Sequence, residues 1–340
     1  MKEILLSGWE ALVAYFTLPR VISLTIAFFL SGAIATFMSQ GAVVKHFGPD
    51  APKTLSYLVA SVSGAILAVC SCSVLPMFAS IRKKGAGIGP AITFLFSGPA
   101  INILAITMTF SMIGVAIGLV RVIGAIVLSL IIGVIISLLY RKSETVEANA
   151  AMFVSDAISP RKTWQNLLFF ATLIAILVLG VKNPLPTGIL TIVLGVQLIM
   201  YFQKSELWTW VKETAKLAKK IIPLFIIGIF LAGIITYLIP PATMARLVGA
   251  NTIWANLLGS GFGALMYFAT LTEVPIVTSF LSLGMGMGPA TALLLAGPTL
   301  SLPNMIVIAK VLGIKKGFTY FGLVILLSGA IGFMAGLWIY

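Results

Sequence analysis

Of the 340 residues, 60% are hydrophobic and 9% charged, with a mean hydropathy of +1.12 and a formal net charge of +13. A soluble chain needs more polar surface than this, and the positive charge is scattered between apolar runs instead of forming one basic face. A soluble enzyme, a nucleic-acid-binding domain and a disordered chain are therefore excluded. At roughly 20 residues per crossing, the composition predicts an all-α polytopic membrane protein of about ten spans.

Residues 1–18 mix Lys2, Glu3 and Glu10 with apolar residues and lack a basic start followed by a small-residue cleavage site, so they predict an amphipathic surface helix. Apolar stretches then fall at 20–39, 55–81, 88–111 and 113–140, which together make a first membrane repeat over 19–140. Residues 141–165 carry Glu144, Glu147, Asp156, Arg161 and Lys162 with little apolar periodicity, and read as a cytoplasmic linker. Two connecting spans follow within 166–203, and 204–220 reads as a basic amphipathic helix at an anionic membrane face. The second membrane repeat, 221–340, holds stretches at 221–240, 253–283, 288–312 and 317–339.

Two of these stretches, 55–81 and 253–283, exceed the length of one crossing and contain Pro76 and Pro275, so each is expected to be broken or re-entrant. If the spans alternate, the amino-terminal side holds fourteen of the lysines and arginines near span ends, against seven on the other side. The positive-inside rule then places both termini in the cytoplasm, with the chain in the inner membrane. Lys310, Lys315 and Lys316 run against that pattern.

An internal correspondence supports the two repeats. Gly85-Ala-Gly-Ile-Gly-Pro-Ala91 matches Gly284-Met-Gly-Met-Gly-Pro-Ala290 at an offset of 199 residues, and in that register Pro76 meets Pro275, Ser61 meets Ser260 and Gly98-Pro99 meets Gly297-Pro298. The reading is two homologous four-span units. Duplicated transporters commonly place the substrate between their repeats, at interrupted helices near the midplane.

Each repeat has two interruptions. In the first these are Cys70-Ser-Cys-Ser-Val-Leu-Pro76 and Ser97-Gly-Pro-Ala-Ile-Asn102; in the second, Thr270-Leu-Thr-Glu-Val-Pro275 and Ala296-Gly-Pro-Thr-Leu-Ser301. Proline removes a backbone donor and glycine leaves helical geometry cheaply, so the freed groups must face protein or a hydrated cavity. Substrate-binding candidates are accordingly Cys70, Cys72, Ser73, Pro76, Ser97, Gly98, Pro99, Asn102, Thr272, Gly297 and Pro298. The plainer alternative is that these Gly-Pro pairs only kink packed helices.

Glu273 is the one acidic residue inside an expected span, and an acid at that depth must be paired, hydrated or protonated. It suits coupling to an ion or proton gradient, or a structural pair with Arg121 or Lys310. Arg121 either holds an anionic substrate, neutralises Glu273 or snorkels to the interface. As thiolates, Cys70 and Cys72 are soft ligands for thiophilic metals and metalloids. Two residues apart on a helix, they diverge by about 200° and reach one ligand only across a backbone break; otherwise they are small buried hydrophobes.

The Cys-Ser-Cys-Ser-Val-Leu-Pro segment at 70–76, the Gly-Ala-Gly-Ile-Gly-Pro-Ala run at 85–91 and Ser-Gly-Pro-Ala-Ile-Asn at 97–102 resemble the predicted permease family that includes the ArsP organoarsenical efflux permeases. The resemblance covers most of the chain, including the motifs of both repeats and a charged central linker. It implies export of trivalent organoarsenicals or a related thiophilic small molecule, with Cys70 and Cys72 as ligands.

The leading expectation is thus a gradient-driven exporter without a cofactor. No phosphate-binding loop for ATP occurs. The competing expectations are a thiol-redox or sulfur-relay protein using Cys70 and Cys72, and a permease or channel for another small solute. With His46 the single histidine, no H-E-x-x-H zinc site can be assembled for a membrane hydrolase. The expected partners are a small-molecule substrate and the lipid bilayer.

Overall fold

The structure is a computed structural model describing residues 2–37, 52–66, 71–83, 85–140, 163–179, 184–238, 247–266 and 273–339. Cys70, Thr272 and most of the 141–165 linker lie outside the described residues.

The regular elements of the described residues are helices: α1 (Lys2–Tyr15), α2 (Leu18–Phe37), α3 (Lys53–Ile66), α4 (Ser71–Lys83), α5 (Ile88–Ala100), α6 (Ile103–Met112), α7 (Val115–Leu139), α8 (Thr163–Leu179), α9 (Pro184–Tyr201), α10 (Lys204–Leu238), α11 (Ile253–Leu265), α12 (Glu273–Ser282), α13 (Met287–Leu300), α14 (Leu302–Leu312) and α15 (Ile314–Ile339). Among them α7 and α15 are each long and apolar enough to cross a membrane, and two bent pairs reach that length when taken as one span each. These pairs are α5 with α6, bent by 46°, and α13 with α14, bent by 50°. The described residues therefore contain two to four candidate spans by length and composition.

The molecule wears its apolar side chains outward. Val115, Leu119, Ile123, Leu138 and Leu139 of α7 and Phe318, Leu326, Leu337 and Trp338 of α15 are exposed, while Arg121, Asn256, Glu273 and Asn304 are buried. A water-soluble fold does the reverse, because exposed apolar area costs free energy in water.

One expected boundary differs. Residues 204–220 and 221–240 were expected as a surface helix followed by a span, yet Lys204–Leu238 is a single helix. Pro223 lies inside it without ending it. At the corresponding place in the first half the chain does interrupt, between α1 and α2, where Pro19 sits in the opening turn of α2.

Corresponding helices recur at the offset read from the sequence: α3 to α7 and α11 to α15 begin and end at positions about 199 apart. The four positive-φ glycines of the described residues fall into two pairs at that spacing, Gly85 with Gly284 and Gly114 with Gly313. Their φ values, 91°, 104°, 133° and 88°, are conformations that a Cβ disfavours, so the same turns demand glycine twice. Within each group the first, third and fifth helices (α3, α5, α7; α11, α13, α15) pack on one another. Small residues allow the approach. A Cβ on Gly133 would meet the Gly89 carbonyl at 2.8 Å, and one on Gly332 would meet the Gly288 carbonyl at 2.7 Å.

The two groups touch through α5 with α13 and α7 with α15, and exchange contacts elsewhere: α4 lies against α14, and α12 against α6. A similar exchange holds the amphipathic helices. Gly8 of α1 faces Phe230 of α10, while Trp210 of α10 packs edge-on against Phe29 of α2 at 5.4 Å and donates its indole N–H to the Phe29 carbonyl at 2.8 Å. Phe37, Phe169, Phe202 and Trp210 form an aromatic cluster that seats α8 and the end of α9 against α2 and α10.

Candidate functional site

The helix breaks define the site. Helix α5 ends at Ala100 with Pro99 in its last turn, and the buried Asn102 stands in the gap before α6. Helix α13 ends at Leu300 with Pro298 in its last turn, and the buried Ser301 stands in the gap before α14. Pro76 lies inside α4, where Ser80 donates its hydroxyl to the Pro76 carbonyl at 2.9 Å. Each half-helix after a break thus packs against a proline-bearing helix of the other group, α6 on α12 and α14 on α4.

At the α6–α12 crossing sits a buried ion pair. Arg121 of α7 donates from Nη2 to Oε2 of Glu273 at 3.1 Å and from Nη1 to the Thr109 hydroxyl of α6 at 3.0 Å. The side chains are 0% and 2% exposed. Thr109 in turn donates to the Ala105 carbonyl at 2.7 Å, which leaves its lone pairs turned toward the guanidinium. Three helices from both groups are therefore held by one cation. Of the partners expected for Glu273, the structure pairs it with Arg121, which is buried and does not snorkel, while Lys310 is exposed. Among the described residues, Arg121 Nε and Glu273 Oε1 have no hydrogen-bond partner. Such atoms in a low-dielectric setting are costly unless a ligand or motion uses them.

The remaining sequence-derived residues are placed as follows. Cys72 and Ser73 belong to the first turn of α4, beside the segment that contains Cys70. Ser97 is fully buried and donates to the Ala60 carbonyl of α3 at 3.3 Å and the Phe94 carbonyl at 3.4 Å, so it joins α5 to its own group. Gly98, Pro99, Gly297 and Pro298 are buried within α5 and α13, which pack together. Thr109, Asn304 and Tyr320 were not singled out from the sequence. The repeat offset offered a signal for Tyr320, which stands 199 residues after Arg121 and is likewise fully buried. Thr109 gave none, because a hydroxyl that back-bonds within its helix is ordinary. Among the described residues no group of three or more His, Cys, Asp and Glu is placed to hold a metal ion.

On the polar surface, Lys83 at the end of α4 pairs with Glu213 of α10 at 2.5 Å, and Lys216 donates to the same carboxylate at 2.8 Å. Hydrogen bonds from Lys216 and Lys83 hold the Glu213 carboxyl below its ordinary value of 4.5. A carboxyl with a depressed folded-state value stabilises fully above the unfolded value, and that contribution fades as pH falls through the folded value. Lys83→Ala is therefore expected to lower stability by no more than about 1 kcal/mol near pH 7. Thermal unfolding at pH 7 and at a pH well below the ordinary carboxylate value checks this, the difference between variant and parent fading as pH falls through the depressed value of Glu213.

A family model described as a predicted permease matches residues 5–337. The UPF0718 protein MJ0584 of Methanocaldococcus jannaschii is 44% identical over 96% of this chain and 94% of that protein. The UPF0718 protein YraQ of Escherichia coli is 23% identical over 77% of this chain and 62% of its own, and YcgR of Bacillus subtilis 26% identical over 34% and 39%. No solved structure matches the chain. With nearly its whole length covered by the family model, this helical chain belongs to the predicted permease family.

Proposed function

We propose that the protein is a gradient-driven exporter of a small thiophilic molecule, of the trivalent organoarsenical class, working by alternating access between two duplicated halves. The observation that carries the reading is the buried Arg121–Glu273 pair, which joins the two groups of helices at their breaks. Among the described residues the pair leaves Glu273 Oε1 and Arg121 Nε unpartnered, which supports a pair that re-forms over a purely structural one. Glu273 and Arg121 form the coupling pair, which separates when the halves move and re-forms when they return. Cys70 and Cys72, with Ser73, Pro76 and Thr272, supply the substrate face, thiolates being suited to soft metalloids. Asn102, Ser97 and the Gly-Pro pairs at 98–99 and 297–298 shape the chamber. The matched helices and paired positive-φ glycines support duplication. The ten apolar stretches support about ten spans, and the excess of lysine and arginine on the amino-terminal side supports cytoplasmic termini in the inner membrane. The coupling chemistry is transport, with no bond made or broken in the substrate.

The test is accumulation of a trivalent organoarsenical in sensitive cells and its movement in proteoliposomes. The protein is expected to lower accumulation at least several-fold, and Cys72→Ser to remove the effect. Glu273→Gln is expected to abolish movement against a gradient. Protection that persists with both cysteines replaced would rule out thiol ligation.

A further inference from the structure

Around the break between α13 and α14, three buried side-chain oxygens stand without a hydrogen-bond partner among the described residues. Ser301 occupies the residue before the first turn of α14, where a serine usually accepts from a backbone N–H of that turn; here it makes no such bond, and its buried hydroxyl has no partner among the described residues. Asn304, three residues on, has a buried Oδ1 with no partner. Tyr320 of α15 is fully buried, its hydroxyl has no hydrogen-bond partner of normal geometry among the described residues, and the neighbouring Thr299 hydroxyl donates instead to the Ala296 carbonyl at 2.9 Å. Pro298 and Pro303 remove the backbone donors that the carbonyls of Leu294 and Thr299 would otherwise meet. The residues involved are at most 2% exposed, so solvent does not relieve them.

The first half differs at the matching positions. Alanines stand at 100 and 105 where the second half has Thr299 and Asn304, and Arg121 stands where the second half has Tyr320. One half thus carries its own cation at this depth, and the other presents neutral oxygens in its place. Hard, neutral oxygens from hydroxyls and an amide, together with carbonyls at the C-terminal, negative end of α13, are ligands suited to a dehydrated alkali cation. A divalent ion calls for carboxylates, and among these residues there is none.

We propose that the break between α13 and α14 is a binding site for a monovalent alkali cation, held by Ser301, Asn304, Tyr320 and the freed carbonyls. This rests on the carrier reading only in making that cation the coupling ion; the site itself stands on the buried oxygens. Binding to the folded state raises stability with ligand concentration, so the full-length protein in lipid nanodiscs should melt at rising temperature as NaCl, KCl or LiCl replaces choline chloride at constant ionic strength. The cation giving the largest shift identifies the ligand. Asn304→Ala should abolish the shift, and Tyr320→Phe, which keeps the ring and its packing, should weaken the apparent affinity at least about tenfold, or 1.4 kcal/mol. Equal melting in all four salts overturns the site, as does an unchanged cation shift in both variants. If no cation shift occurs while export persists and is lost in Glu273→Gln, the site is wrong and the carrier stands. A cation shift lost in Asn304→Ala, in a protein that moves no solute, keeps the site and removes the carrier.

Discussion

Glu273→Leu alone is expected to destabilise the protein by about 3–5 kcal/mol, because it strands the Arg121 guanidinium, 0% exposed, without a counter-charge. Thr109 would remain as a partner, but a hydroxyl cannot compensate a full charge. Adding Arg121→Met to Glu273→Leu should recover most of the loss, since a buried pair replaced by apolar residues of similar volume is often neutral or stabilising. Thermal melting of the two single variants and the double variant measures this. Recovery in the double variant shows that the singles suffer from an unpaired charge and not from lost shape. Solute movement should stay lost in all three if the pair serves transport, so stability and transport would separate. A double variant as unstable as the singles would instead mean that packing at α6, α7 and α12 depends on these side chains themselves.

Gly228→Ala is expected to be nearly as damaging, for a steric reason. A Cβ there would fall well inside contact distance of the Cα of Pro303, in the first turn of α14. Backbone is met, so no rotamer change relieves it. Helix α10 must retreat from α14, at about 1–3 kcal/mol for overpacking. Gly195→Ala in α9 is the control, with nothing within 4 Å of the added methyl. There the exchange should raise stability slightly, since glycine costs up to about 1 kcal/mol relative to alanine inside a helix. Because α10 touches α14 beside the break, Gly228→Ala should also perturb any ligand held at Ser301 and Asn304. Equal melting temperatures for the two variants would show that α10 and α14 separate freely.

Much of the local architecture was legible in the chain. Pro99 and Pro298 stand in the last turns of α5 and α13, just before the breaks, and Gly85 and Gly284 take the positive φ of their turns, so these features follow from residues close by, whereas Pro76 lies inside a continuous α4. The expected interruptions of 55–81 and 253–283 fall at 67–70 and 267–272, outside the described residues. Continuity of α10 was less legible, because amphipathic and apolar segments joined without a turn residue can share one helix axis.

The candidate site was legible only by halves. Arg121 and Glu273 each stood out as charges in apolar stretches, since burying a charge is costly wherever it lies. Their partnership spans 152 residues, and local chain chemistry carries no information about it. Thr109, Asn304 and Tyr320 are unremarkable in sequence and acquire meaning from the helices that enclose them.

By itself, then, the amino-acid order determined helical content, an apolar exterior, the positions of the breaks and a spacing of 199 residues between like motifs, because hydropathy, proline and glycine act locally. Only the tertiary structure decided that α12 meets α6, that α14 meets α4, and that one guanidinium binds Glu273 and Thr109 together. The reason is that choice of partner depends on which small-residue faces let helices approach, and that is settled by the packing of many segments at once.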